Sequence, residues 1–216
     1  MAEPAVPYAY NYLTGAEARF LDAAVERLIP TDELGPGAKE AGVTYYIDQQ
    51  LKGMWGTHGR QYRSGPWFEG TPQQGWQSRL TPQELYRVGI HEINEYCTKT
   101  HGKAFEFLSA DLRDQVLHAL EEGAVSLPSL SAKLFFDTLW RNTEEGFFAD
   151  PLYGGNHGKV GWKLVGFPGV GGSDYNDHLD NPAPYRVKEP VSIVDIEQLR
   201  AKLDPQGYPK HEKTDK

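Results

Sequence analysis

The sequence predicts a mainly α-helical fold, a helical core carrying long irregular segments that must find something to pack on. Two observations point there. Apolar residues recur at helical spacing behind well-formed start signals, and they do so in several separate stretches of the 216-residue chain. Between them, much of the content of 23 Gly and 15 Pro falls in stretches that neither helix nor strand tolerates, and these are also rich in Trp, Tyr and Phe.

Residues 1–13 read as an extended arm studded with Tyr8, Tyr10 and Tyr12. Thr14-Gly-Ala-Glu17 is a capping box: hydroxyl and carboxylate each satisfy a backbone donor at a helix start. Phe20, Leu21, Ala24, Val25, Leu28 and Ile29 follow at helical spacing, and Pro30 stops the run. A second helix is expected over 38–52, ending at Gly53. Residues 53–80 show no period and read as an irregular insertion. Thr81-Pro-Gln-Glu84 is a second capping box with Pro82 at the first helical position, and Leu80 and Leu85 are placed for a hydrophobic staple. That helix runs to about Gly102. Ser109 and Asp111 cap the next, which ends at Gly123, and another runs from Ser129 or Ser131 to Gly146. The layout is therefore one domain with a helical core over 14–149. A Gly/Pro-rich segment follows at 150–190, then a short helix and frayed tail at 191–216.

Several function classes lose support. A net charge of −8 disfavours nucleic acid and anionic lipid surfaces. No run approaches the roughly 18 apolar residues of a membrane span. The opening Met-Ala-Glu-Pro-Ala-Val-Pro lacks a basic and an apolar region, so the expectation is a cytosolic protein or a mature form restarted with Met. Cys97 stands alone, which excludes an internal disulfide and a thiolate cluster, and reads as a small buried hydrophobe. Gly154 to Gly158-Lys159 is one residue short of a phosphate loop and has Val160 where Ser or Thr would hold magnesium. Gly169-Val-Gly171 lacks the third glycine of a dinucleotide fingerprint. No Gly-x-Ser-x-Gly elbow and no haem-attachment motif occurs. His91 and Glu95 share a helical face but lack the second His of the zinc-protease helix, while His58, His101, His118, His157 and His178 are scattered without ligand spacing.

What remains is a set of aromatics in the irregular segments, among them Trp55, Tyr62, Trp67, Phe68, Trp76, Tyr153, Trp162 and Phe167. Large aromatics interleaved with Gly and Pro outside a helical core are what long-lived protein interfaces use. The expected interface residues are Trp55, Tyr62, Trp67, Trp76, Tyr153, Asn156, Trp162 and Phe167, with no catalytic, cofactor or metal residue in this chain. The competing reading is that these segments fold back over their own core.

Two stretches carry a resemblance. Tyr62-Arg-Ser-Gly-Pro-Trp-Phe-Glu-Gly-Thr-Pro-Gln-Gln-Gly-Trp-Gln with Leu80-Thr-Pro-Gln-Glu-Leu-Tyr-Arg is one. The other is Gly146-Phe-Phe-Ala-Asp-Pro-Leu-Tyr-Gly-Gly-Asn-His with Gly161-Trp-Lys-Leu-Val-Gly-Phe-Pro-Gly. Together with the opening helix from Phe20 to Asp32, they resemble the gluconate 2-dehydrogenase subunit 3 family over about residues 14–170. The resemblance implies a small helical subunit, without catalytic residues, bound to an FAD-containing catalytic subunit of the glucose–methanol–choline type. That partner would oxidise a sugar or sugar-acid hydroxyl in the periplasm. A multihaem cytochrome c subunit would pass electrons to membrane quinone, and the chain would be membrane-associated through the complex. Members often carry a twin-arginine export signal, which does not precede Ala2 here. The alternatives are a dissociable export chaperone for the flavoprotein and a free-standing metalloenzyme built on His91 and Glu95.

Overall fold

The computed structural model describes residues 9–68, 70–75, 77–169 and 189–196. Among these the chain is mainly helical, and the only extended pairings are isolated bridges between Asp32 and Gly35 and between Gly169 and Val191. The helices are α1 (Gly15–Leu28), α2 (Val43–Lys52), α3 (Met54–Thr57), α4 (Pro82–His101), α5 (Ala110–Glu121), α6 (Ala132–Phe148) and α7 (Val160–Val165). Short 3-10 turns lie at Pro72–Gln74, Phe105–Phe107, Pro151–Tyr153 and His157–Lys159.

Helices α1, α4, α5 and α6 each start where a side chain satisfies an orphan backbone donor. Thr14 N–H donates to Glu17 Oε2 at 2.8 Å while Thr14 Oγ1 accepts from Glu17 N–H, and Thr81 and Glu84 repeat the pattern for α4. Ser109 and Ser131 accept from Leu112 and Leu134 N–H at the starts of α5 and α6. Gly102 closes α4 in the left-handed region at φ 76°.

These helices bury one face each into a shared apolar core. Phe20 of α1 lies 4.7 Å from Phe105 and 6.4 Å from Phe135 of α6, and Phe135 lies 5.8 Å from Tyr86 of α4. All four rings are fully buried. Each such side chain contributes about 1.5–3 kcal/mol by leaving water. The approach of α4 to α6 requires Gly89, because a Cβ there would stand 2.3 Å from Phe135 Cδ2.

Two expectations are revised, at the second helix and at Gly146. Helix α2 begins at Val43, not 38: residues 38–42 form turns, with Ala41 N–H donating to Gly37 O at 2.9 Å and Gly42 at φ 75°. Gly146 does not stop α6, which continues to Phe148; it is a point of close approach, where a Cβ would meet Tyr46 Cδ1 at 2.8 Å. The described part of the N-terminal arm docks on the chain's own helices. The Asp48 carboxylate, fully buried on α2, accepts from Asn11, Tyr12 and Leu13 N–H at 2.8, 2.9 and 2.9 Å. Tyr12 O–H then donates to Gln83 O at 2.8 Å, and the Arg87 guanidinium covers its ring at 4.6 Å.

Candidate docking surface

The first irregular segment leaves α3 through His58, held in the left-handed region at φ 51°. The turn before it closes only over Gly56, where a Cβ would stand 1.8 Å from Leu51 O. His58 is buried, and its imidazole is held below its ordinary pKa by burial first and by the neighbouring Arg63 charge second. A neutral ring leaves Nδ1 able to accept from the Arg63 guanidinium, which also donates to Arg79 O and lies over the Trp67 ring at 5.4 Å. Arg63 thus ties the start, middle and end of the segment together. The aromatic side chains it leaves outside are Tyr62 at 91% exposure, Phe68 at 74% and Trp67 at 41%.

The second segment is built differently. Asp150 caps the 3-10 turn by accepting from Leu152 N–H at 2.9 Å, and its other oxygen accepts from Ile193 N–H at 2.9 Å. Asn156 is fully buried at φ 49° and acts as a clasp: its amide donates to Ala149 O and its carbonyl accepts from Gly161 N–H, both at 2.9 Å. Two glycines let this clasp lie against α6. A Cβ on Gly155 would stand 2.1 Å from Gly146 O, and one on Gly161 would stand 2.2 Å from Phe147 O. Trp162, 5% exposed, donates its indole N–H to Phe148 O at 2.7 Å and meets Phe167 edge-on at 5.2 Å. The exposed remainder comprises Leu152 and Tyr153 on one side and Leu164, Val165 and Phe167 on the other. Leu164 also lines an apolar groove of about 350 Å³, with Leu28, Ile29, Leu34, Phe147 and Val160.

The residues expected at an interface therefore divide. Tyr62, Trp67, Tyr153 and Phe167 are on the surface, Trp55 is half-buried against the core, and Trp76 lies outside the described residues. Asn156 and Trp162 face inward and hold the chain to itself. Phe68, one of the aromatics picked out in the sequence, is also exposed; the structure adds Leu152, Leu164 and Val165 to the exposed apolar surface, and it adds Arg63 as the residue that shapes the first segment. Arg63 was not legible because nothing in a lone Arg announces three partners distant in sequence.

Among the described residues, the His91/Glu95 pair is solvated and Cys97 is buried. His91 and Glu95 sit on an exposed face of α4 at 3.6 Å, and Lys99 shares Glu95 at 3.8 Å. Among the described residues no group of three or more His, Cys, Asp or Glu side chains is placed to hold a metal ion. Burial, and then the Glu106 charge, pushes the Cys97 thiol up to about 11, which keeps it protonated and unreactive at neutral pH. Among the described residues no helix is long and apolar enough to cross a membrane.

A family model described as gluconate 2-dehydrogenase subunit 3 covers residues 15–169, from the first turn of α1 to Gly169, within the Gly/Pro-rich segment. No curated protein and no solved structure matches.

Proposed function

Since the chain belongs to the gluconate 2-dehydrogenase subunit 3 family, we propose that it is a non-catalytic small subunit that binds and stabilises an FAD-containing catalytic subunit. In this reading the partner is of the glucose–methanol–choline type and oxidises a sugar or sugar-acid hydroxyl in the periplasm. Electrons pass onward to a cytochrome c subunit carrying haem c, and then to quinone. The family description supports work within a multi-subunit complex.

The observation that carries the docking role is the exposed aromatic run Tyr62, Trp67 and Phe68 on a segment braced by Arg63. A braced aromatic surface loses little entropy on association, so more of its apolar burial appears as affinity. The test is co-expression with the catalytic subunit and capture through a tag on this chain. The wild-type chain should retain a stoichiometric FAD-loaded partner, and a variant with Tyr62, Trp67 and Phe68 all changed to Ser should lose it while keeping its own unfolding midpoint. Undiminished capture by that variant would refute the docking role of this segment.

A further inference from the structure

The turn that lays the second segment against α2 has a backbone that side chains rarely adopt. Asn156, Gly158 and Lys159 all lie in the left-handed region, at φ 49°, 63° and 57°. Residues other than glycine keep such a backbone only where surrounding contacts impose it, and strained turns of this kind recur at switches. His157 sits between them. Its backbone N–H donates to Ala41 O at 3.0 Å. Its imidazole lies against Gly42, where a Cβ would stand 2.1 Å from Cε1, 2.4 Å from Nδ1 and 2.6 Å from Nε2. The ring edge that carries both nitrogens therefore faces Gly42, the N-cap of α2.

That end of the helix favours an uncharged ring. Gly42 has no side chain with which to cap α2, and the first turn of α2 holds no acidic residue, so the positive end of the helix dipole is not offset there. Burial is the first influence on the imidazole and lowers its pKa, while the Gly154 carbonyl, which accepts from the ring, raises it less. The other titratable groups on the surrounding elements are Lys39 and Glu40 before α2, Tyr45 on α2, Glu144 and Glu145 at the end of α6, and Asp150, Lys159 and Asp195. Lys159 is paired with Asp195 at 2.6 Å, Glu145 accepts from Asn142 Nδ2 at 3.1 Å, and Glu40 accepts from Thr31 Oγ1 at 2.6 Å. Of these side-chain types only histidine ordinarily changes charge between about pH 7.5 and about pH 5.5. We propose that His157 is a pH latch: protonation of its imidazole releases the 154–159 turn from α2 while the helical core stays folded.

The docked turn is fully favoured above about 6.5, the ordinary histidine value, and weakens as pH falls through that value toward the lowered one. Within that window opening becomes more favourable by up to about tenfold per pH unit. The experiment is hydrogen–deuterium exchange of the isolated full chain, read by mass spectrometry and corrected for the intrinsic pH dependence of exchange. Peptides covering 154–160 should exchange at least about threefold faster at about pH 5.5 than at about pH 7.5, and peptides from α4 should not change. His157→Gln and His157→Phe, the second keeping a ring without a titratable nitrogen, should both lose this response whatever their exchange at neutral pH. A wild-type chain with no selective acceleration at 154–160 would overturn the latch. So would an acceleration shared equally by α4, or one that persists in either variant. The latch does not rest on the docking role, and each of these outcomes leaves the capture experiment with the catalytic subunit unaffected.

Discussion

At the scale of single residues, the side chains that matter most to the fold are polar ones buried with full partnership. Asp48 gathers three consecutive backbone N–H groups of the arm and also accepts from Gln49 Nε2 at 3.0 Å. Asp48→Ala should therefore cost about 2–4 kcal/mol in urea unfolding, since several charge-assisted bonds and their buried donors are lost together. A cost below about 0.5 kcal/mol would show that the arm is not held this way. The imidazoles give a pH dependence of known sign. Burial holds both His58 and His157 below the ordinary 6.5. The unfolded chain then takes up protons that the folded chain resists, so stability is full above about 6.5 and falls as pH drops through that value toward the lowered folded pKa. Urea midpoints should decline between about pH 7 and about pH 5, and His157→Gln should flatten part of that decline. Asp48 was invisible in the sequence because a carboxylate in a helix interior ordinarily faces solvent. The capping residues Thr14, Thr81, Ser109 and Ser131 were legible because their partner lies three residues away in the same chain.

At the scale of elements, the helices were legible and the meaning of the aromatics between them was not. Local signals place α1, α4, α5 and α6, but a Trp among glycines reads the same whether it points in or out. Trp162 and Trp67 illustrate the difference. The first is buried with its indole N–H on Phe148 O, and the second lies beneath the Arg63 guanidinium on an exposed segment. Trp162→Ala should cost about 3–5 kcal/mol of stability. Trp67→Ala should leave the midpoint of the isolated chain within about 0.5 kcal/mol and act on association instead. Equal losses of stability from both would erase the distinction drawn between them. Glycine misled in the same way. Gly146 looked like a helix end, yet its role is the absence of a Cβ facing Tyr46. At Gly89 the same argument has a measurable consequence: Gly89→Ala, normally favourable in a helix, should destabilise by about 1–3 kcal/mol, because Phe135 occupies the space. A stabilised Gly89→Ala variant would mean that α4 and α6 are not packed this closely.

At the scale of the whole molecule, a self-sufficient helical core carries two segments of different character. The 147–169 segment is clasped to the core by Asn156, Trp162 and close glycine contacts, and exposes a few apolar side chains at its edges. The 58–80 segment, braced by Arg63, has aromatics facing solvent on one side and a polar cleft on the other. The account rests on the first of those two faces being a docking surface for the flavoprotein of a gluconate 2-dehydrogenase-type complex. The most direct measurement is flavin retention and solubility of the catalytic subunit co-expressed with the wild-type chain, with the Tyr62/Trp67/Phe68→Ser variant, or with no small subunit. The account expects the variant to match the empty control, with the catalytic subunit losing FAD and aggregating, although the variant chain itself remains folded. A catalytic subunit that keeps its flavin and solubility equally well in all three would contradict it.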